Sequence, residues 1–286
     1  MQALDVLEAG ASAAGKVGAA LGRLVAKVNP DVWRELAYVS LSAYSLAMPR
    51  KEKVLPGRPD GFAPVVLVHG LGGNRGAWLP LRLFLRMNGH RRVYAFSYAA
   101  GTIEGHAEAL AVFVDSVLEA TGERQADIVA HSMGAIISRY AIQRLGLRDK
   151  VRTLVTLAAM HQGTYAAHYA NTPLTRSLRP ESPLIQDLNR DDPECYPRRF
   201  FSICTDCDVY VVPAESMRHP FAENIYLPRI SHAQHLVSPK VFRVVSSFLE
   251  PCENSGAIET GSRAGTLQDK PTPTSGGMPC CPTSRD

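Results

Sequence analysis

The chain has 286 residues, 45% hydrophobic and 20% charged, and 31 Lys and Arg against 27 Asp and Glu give a formal net charge of +4. These proportions exclude a wholly disordered or collagen-like chain, and a small, scattered positive excess without a basic run argues against nucleic acid as a partner. Six cysteines are too few for a disulfide scaffold, and no apolar run approaches the ~20 residues of a membrane span.

At the N-terminus, Leu7, Ala14, Leu21 and Val28 recur every seven residues, with Val17 and Leu24 between them. That spacing predicts one apolar helix face. Gly10, Gly15, Gly18 and Gly22 weaken the helix, each by roughly 1 kcal/mol relative to Ala, so residues 1–28 need a partner surface. That surface is the chain's own domain, a membrane surface or another helix. The small-x-x-x-small spacing of Gly18 and Gly22 favours close helix packing. Asp5, Glu8, Lys16, Arg23 and Lys27 do not form a secretory pattern, so a cytoplasmic or peripheral membrane location is expected. Asn29-Pro30 is a helix start signal, and Trp33, Leu36, Ala37, Leu41, Tyr44 and Met48 make a second apolar stripe. Lys51 to Gly61 is charged and rich in Pro and Gly and reads as a linker.

From Val65 the pattern changes. Val65-Val66-Leu67-Val68 is a short continuous apolar run, which predicts a strand buried on both faces. Similar runs follow at Val93 to Tyr98, Ile128 to Ala130, Val151 to Ala158, Phe200 to Cys204 and Asn224 to Leu227. Helical stretches at Trp78 to Asn88, Gly105 to Thr121 and Met133 to Leu145 alternate with the first strands, and a last helix covers Pro239 to Leu249. The alternation predicts an α/β fold, a mostly parallel sheet with helices on both faces. Beyond Pro251 the larger apolar side chains are reduced to Ile258, Leu267 and Met278, a composition that predicts disorder. The expected organisation is a helical extension and linker at 1–60, a catalytic domain at 61–251 with a short cap at about 160–199, and a disordered tail at 252–286.

The segment from Asp127 to Gly134 carries the chemistry. A predicted strand ends at Ala130-His131, Ser132 sits on the turn, and a predicted helix begins at Met133. So sharp a turn admits only small residues two before and two after the serine, and Ala130 and Gly134 satisfy it. The serine hydroxyl then stands at a helix N-terminus, where unpaired N–H groups favour negative charge. Met133 N–H is the natural oxyanion donor. A second donor belongs on the loop after the first strand. There the chain reads His69-Gly70-Leu71-Gly72-Gly73, and the N–H of Leu71 is the candidate. His69 itself reads as structural.

These motifs, with Ser138-Arg139-Tyr140 and the segment Thr156 to Thr164, resemble those of small bacterial lipases and esterases of the α/β-hydrolase superfamily, in the group whose turn reads Ala-His-Ser-Met-Gly. The resemblance runs from Val65 to Leu249. It departs at Met160, where similar proteins carry Pro. It implies an order of nucleophile, acid, then histidine, which leaves His161, His168, His219, His232 and His235 as bases. Similar lipases place the acid in Asp-x-x-Val-x-Pro, which Asp208 matches with Val211 and Pro213; Asp206 is the competitor. They place the base before a Leu on the loop ahead of the last helix, which His232 matches; His235 is its competitor. His131 and His161 read as structural.

Cys204-Thr205-Asp206-Cys207 lacks the second ligand pair of a structural zinc site and reads as two ordinary buried thiols. The cap holds Tyr165, Tyr169, Leu174, Leu178, Leu184 and Ile185, and its shortness predicts an open cleft. The expected function is hydrolysis of a carboxylic ester, with a small-molecule acyl ester or lipid as substrate and no cofactor. Ser132, Asp208 and His232 are the expected triad, and Leu71 and Met133 the oxyanion donors. Phospholipase, thioesterase or acyl transfer on the same triad, or a non-catalytic binding protein on the same fold, are the alternatives.

Overall fold

The computed structural model describes residues 52–251. The expectations for the N-terminal helices and for the tail lie outside the described residues. Six strands form one sheet: β1 (Val65–Val68), β2 (Val93–Phe96), β3 (Ala126–His131), β4 (Val151–Leu157), β5 (Arg199–Cys204) and β6 (Glu223–Tyr226). Their order is β2-β1-β3-β4-β5-β6, and every neighbouring pair is parallel.

Strand side chains alternate between the two faces. Val66, Val68, Ile128 and Ala130 join the core under α2 (Ile103–Thr121) and α3 (Met133–Arg144). Val65, Leu67, Val129 and Val155 join the core under α1 (Leu79–Met87) and α6 (Pro239–Phe248). Both faces are covered, which is why these strands read as unbroken apolar runs. The Thr102 side chain caps α2 by accepting from the Gly105 N–H, and Gly122 in the left-handed conformation ends it.

Three expectations change. Val93 to Tyr98 was expected as one strand, but β2 stops at Phe96 because its partner β1 stops at Val68. β6 is no buried strand: Glu223, Asn224 and Tyr226 are exposed, and it pairs with β5 alone among the described strands. The described part of the predicted linker is bound to the domain along β2. Glu52 pairs with Arg82 at 2.7 Å and accepts from the Ala95 N–H. Tyr94 donates to the Leu55 carbonyl, and Asp60 pairs with the buried Arg92.

The site follows from the topology. From β1 the chain crosses to β2 on one side, while β3 lies on the other. A crevice therefore opens at the carboxyl ends of β1 and β3, where residues 69–73 and Ser132 emerge. Of the segment expected as the cap, the 3-10 turn at Tyr165–His168 and α4 (Pro173–Ser177) border that crevice, while α5 (Pro183–Leu188) and the 3-10 turn at Pro193–Cys195 run back beside the end of α3 and the start of β4. Arg139 of α3, fully buried, anchors the segment by donating to the carbonyls of His161 and Leu188, to Asn189 and to the Tyr196 hydroxyl. Among the described residues no helix is long and apolar enough to cross a membrane.

Candidate active site

Ser132 takes φ 55° and ψ −125°, a conformation that costs a non-glycine residue on the order of 1–3 kcal/mol. The turn is held from both sides. Ser132 N–H donates to the Leu157 carbonyl at 2.9 Å, and the Ser132 carbonyl accepts from Ala135 at 3.0 Å. A Cβ on Gly134 would lie 2.5 Å from the Val68 carbonyl oxygen and closer still to that of His69. Both obstacles are main chain, so only glycine lets α3 start against β1. A Cβ on Gly70 would lie 2.8 Å from the Ser132 Cβ, so the loop after β1 touches the serine directly. Met133 and Gly134 belong to the first turn of α3, whose N–H groups have no intrahelical acceptor.

Residues 70–73 form a tight turn closed by Gly73 N–H on the Gly70 carbonyl at 3.2 Å, with Gly72 at φ +71°. Leu71 stands at its tip, 56% exposed. His69 is locked below: its Nδ1–H donates to the Gly70 carbonyl at 2.9 Å, its ring stacks on Tyr98 at 4.1 Å, and Tyr98 donates to its carbonyl at 2.7 Å. Burial lowers the His69 pKa to about 4, so it stays neutral and structural.

The loop after β5 brings Asp208 to His232. His232 Nδ1 lies 2.6 Å from Asp208 Oδ2, and the Asp208 side chain is fully buried. The other carboxylate oxygen accepts the N–H groups of Tyr210 at 2.8 Å and Val211 at 3.0 Å. Both oxygens are thus engaged, and the carboxylate has one orientation. Asp206 faces elsewhere. It accepts the Arg229 N–H at 2.9 Å, and that bond is the largest cause holding its pKa down at about 2. His235 is turned inward, with Nδ1 on the Ser231 carbonyl at 3.0 Å, and burial lowers its pKa to about 4. His161 and His219 lie under the cap with Arg139 and Tyr196. Burial keeps both neutral, His219 at about 3. His168 is exposed beside Glu181.

Ser132 and His232 line one cleft of about 720 Å³, with Gly70, Leu71, Met160, Ala167 and Leu178 among its walls. The Ser132 hydroxyl has no hydrogen-bond partner among the described residues, and such contacts are commonly long before substrate binds. In the lining of the cleft, Leu71, Tyr169, Val209 and Tyr210 expose apolar surface, Tyr169 to 95%. Two features escaped the sequence reading. Tyr98, taken as strand, supports the loop after β1; its position just past the site end of β2 was the signal. Tyr210 packs its ring 5.0 Å from His232, a contact without any local signal. Cys204 and Cys207 are both unpaired, and Cys207 is exposed rather than buried because it follows the end of β5. Among the described residues no group of three or more His, Cys, Asp or Glu side chains could hold a metal ion.

A profile of the family described as Lipase (class 2) matches residues 62–224, more than half of the chain. A triacylglycerol lipase of Pseudarthrobacter phenanthrenivorans is 28% identical over 140 residues, which cover 46% of this chain and 38% of that protein. A triacylglycerol lipase of Burkholderia plantarii is 28% identical over 140 residues, covering 46% of this chain and 34% of that protein. The chain thus spans little more than a third of the length of these curated relatives. The mature lipase BlEst2 of Bacillus licheniformis matches in structure with a TM-score of 0.59 at 18% identity, over 69% of this chain and 96% of that one. The fold is that of the α/β-hydrolases.

Proposed function

Because the chain belongs to the class 2 lipase family, we propose that it is a serine hydrolase of carboxylic esters, with Ser132, His232 and Asp208 as its triad. The observation that carries this reading is the 2.6 Å contact between His232 and a buried, fully engaged Asp208, in the cleft that holds the strained Ser132 turn. A serine hydroxyl is a poor nucleophile at neutral pH and needs a base held in one tautomer. Asp208 supplies that hold at Nδ1, leaving Nε2 of His232 to accept the Ser132 proton.

Ser132 Oγ then attacks the ester carbonyl, and the carbonyl oxygen gains negative charge. The N–H groups of Met133 and Leu71 are its donors in this reading, and losing one such donor typically costs ~10²–10³ in rate. His232 returns the proton to the leaving alcohol. The acyl group remains on Ser132 until water, deprotonated by His232, releases the acid. The apolar walls at Met160, Ala167 and Leu178 suit an acyl chain. The named lipases among its relatives support lipid or acyl esters as the substrate class.

The test is labelling with a fluorophosphonate together with hydrolysis of p-nitrophenyl esters of graded chain length. Labelling and turnover that both vanish in Ser132→Ala are expected. A folded wild-type chain that neither labels nor turns over any ester is the result that refutes the reading.

A further inference from the structure

We propose that His131 is a positioning residue for His232: its ring holds the main-chain carbonyl of His232 and so ties the base to the nucleophile turn. The inference rests on the serine-hydrolase reading above and adds a residue that the reading does not use.

His131 ends β3 and immediately precedes Ser132. Its side chain is buried, and Nε2 lies 3.1 Å from the His232 carbonyl oxygen, across 101 residues of sequence. A carbonyl only accepts, so the proton sits on Nε2 of His131. Burial pushes the His131 pKa well below the ordinary range, which keeps the ring neutral. The two imidazoles lie 4.6 Å apart at 55°.

Two main-chain ties of this loop lead toward β5. Arg229 N–H goes to Asp206 and Ile230 N–H to Thr205, both at the end of β5. Asp208 restrains the His232 ring at Nδ1, but it too hangs from the loop after β5. Those bonds set the base relative to β5, whereas the His131 bond sets it relative to β3, where Ser132 sits. Its path is short: one peptide unit separates the donor residue from the nucleophile. Reacting groups must be placed to within about an ångström, and a misplacement of that size costs roughly 10²-fold in rate.

Glutamine and asparagine separate this role from simple filling of space. The glutamine amide nitrogen stands as many bonds from Cα as Nε2 of histidine, while the asparagine amide nitrogen corresponds to Nδ1 and falls short. The experiment compares wild type, His131→Gln and His131→Asn in the full chain on one soluble p-nitrophenyl ester. Melting curves are recorded alongside. The expected result is a kcat loss of roughly 10²-fold in His131→Asn with KM little changed, and recovery of most of kcat in His131→Gln. The downfield proton resonance of the His232–Asp208 bond should broaden in His131→Asn and persist in His131→Gln. Equal losses in both variants, or wild-type kcat in His131→Asn, overturn the proposal. If His131→Asn does not fold, the ring nitrogen shifts of wild-type His131 decide: an Nε2–H tautomer supports the proposal and an Nδ1–H tautomer overturns it. A wild-type chain without ester turnover overturns the underlying reading and the proposal with it. Turnover lost in Ser132→Ala but intact in His131→Asn overturns the proposal alone.

Discussion

Acidification from pH 7 to pH 5 should destabilise this domain sharply, and its buried histidines set the scale. Burial lowers His69 and His235 to about 4 and His219 to about 3, from an ordinary value of 6.5. Between those limits the unfolded chain binds a proton at each position and the folded chain does not. Stability from these groups is therefore fully present above pH 6.5 and is lost as the pH falls from there toward the folded values. From pH 6.5 to pH 5 each group costs about 1.4 kcal/mol per pH unit, about 2 kcal/mol in all, and the three together about 6 kcal/mol. That rivals the whole net stability of a typical domain, about 5–15 kcal/mol. His131 and His161 shift in the same direction, also through burial. Asp206 stays out of this window, because its pKa is held at about 2 and its own contribution is lost only in stronger acid. Urea unfolding followed by circular dichroism at pH 7, 6 and 5 measures the effect directly. The midpoint should fall at each step, and His219→Gln should reduce the proton uptake on unfolding by about one. An unchanged or rising midpoint between pH 7 and pH 5 would refute the assignment of these rings as buried and neutral.

Ser132→Ala, His232→Ala and Asp208→Asn should each abolish most ester hydrolysis with circular dichroism unchanged, and on the proposed triad double variants should lose little more, because members of a triad act as a unit. Asp206→Asn should keep near-normal kcat, as its partner is the Arg229 N–H and not His232; a loss matching Asp208→Asn would reverse that assignment. Gly134→Ala should destabilise by roughly 1–3 kcal/mol in urea unfolding and lower kcat, because the new methyl meets the main chain of β1. Arg139→Leu strands the carbonyls and hydroxyl that anchor the cap and should cost about 3 kcal/mol or more by the same measurement.

The features readable in the chain are those governed by neighbours in sequence. The apolar run at 65–68 marks a strand because a strand covered on both faces has no polar side to show. Ala130 and Gly134 mark the turn because the steric demand of Ser132 acts two residues either way. β6 is the instructive failure. Its apolar content suggested burial, but an edge position is a property of the sheet, and three of its four residues are exposed.

The choice among carboxylates and histidines was of the other kind. Asp206 and Asp208 differ by two residues, and His232 and His235 by three, so local pattern separates them weakly. The fold separates them by contact. The chain returns 24 residues later to set His232 against Asp208, while Asp206 binds the turn at Arg229 and His235 faces the core. The same holds for His131, whose hydrogen bond to His232 spans 101 residues. Periodicity and turn sterics act over a few residues and leave their mark in the sequence. Which side chains meet across loops depends on how β3, β5 and the loop carrying His232 pack together, and that arrangement exists only once the sheet has formed.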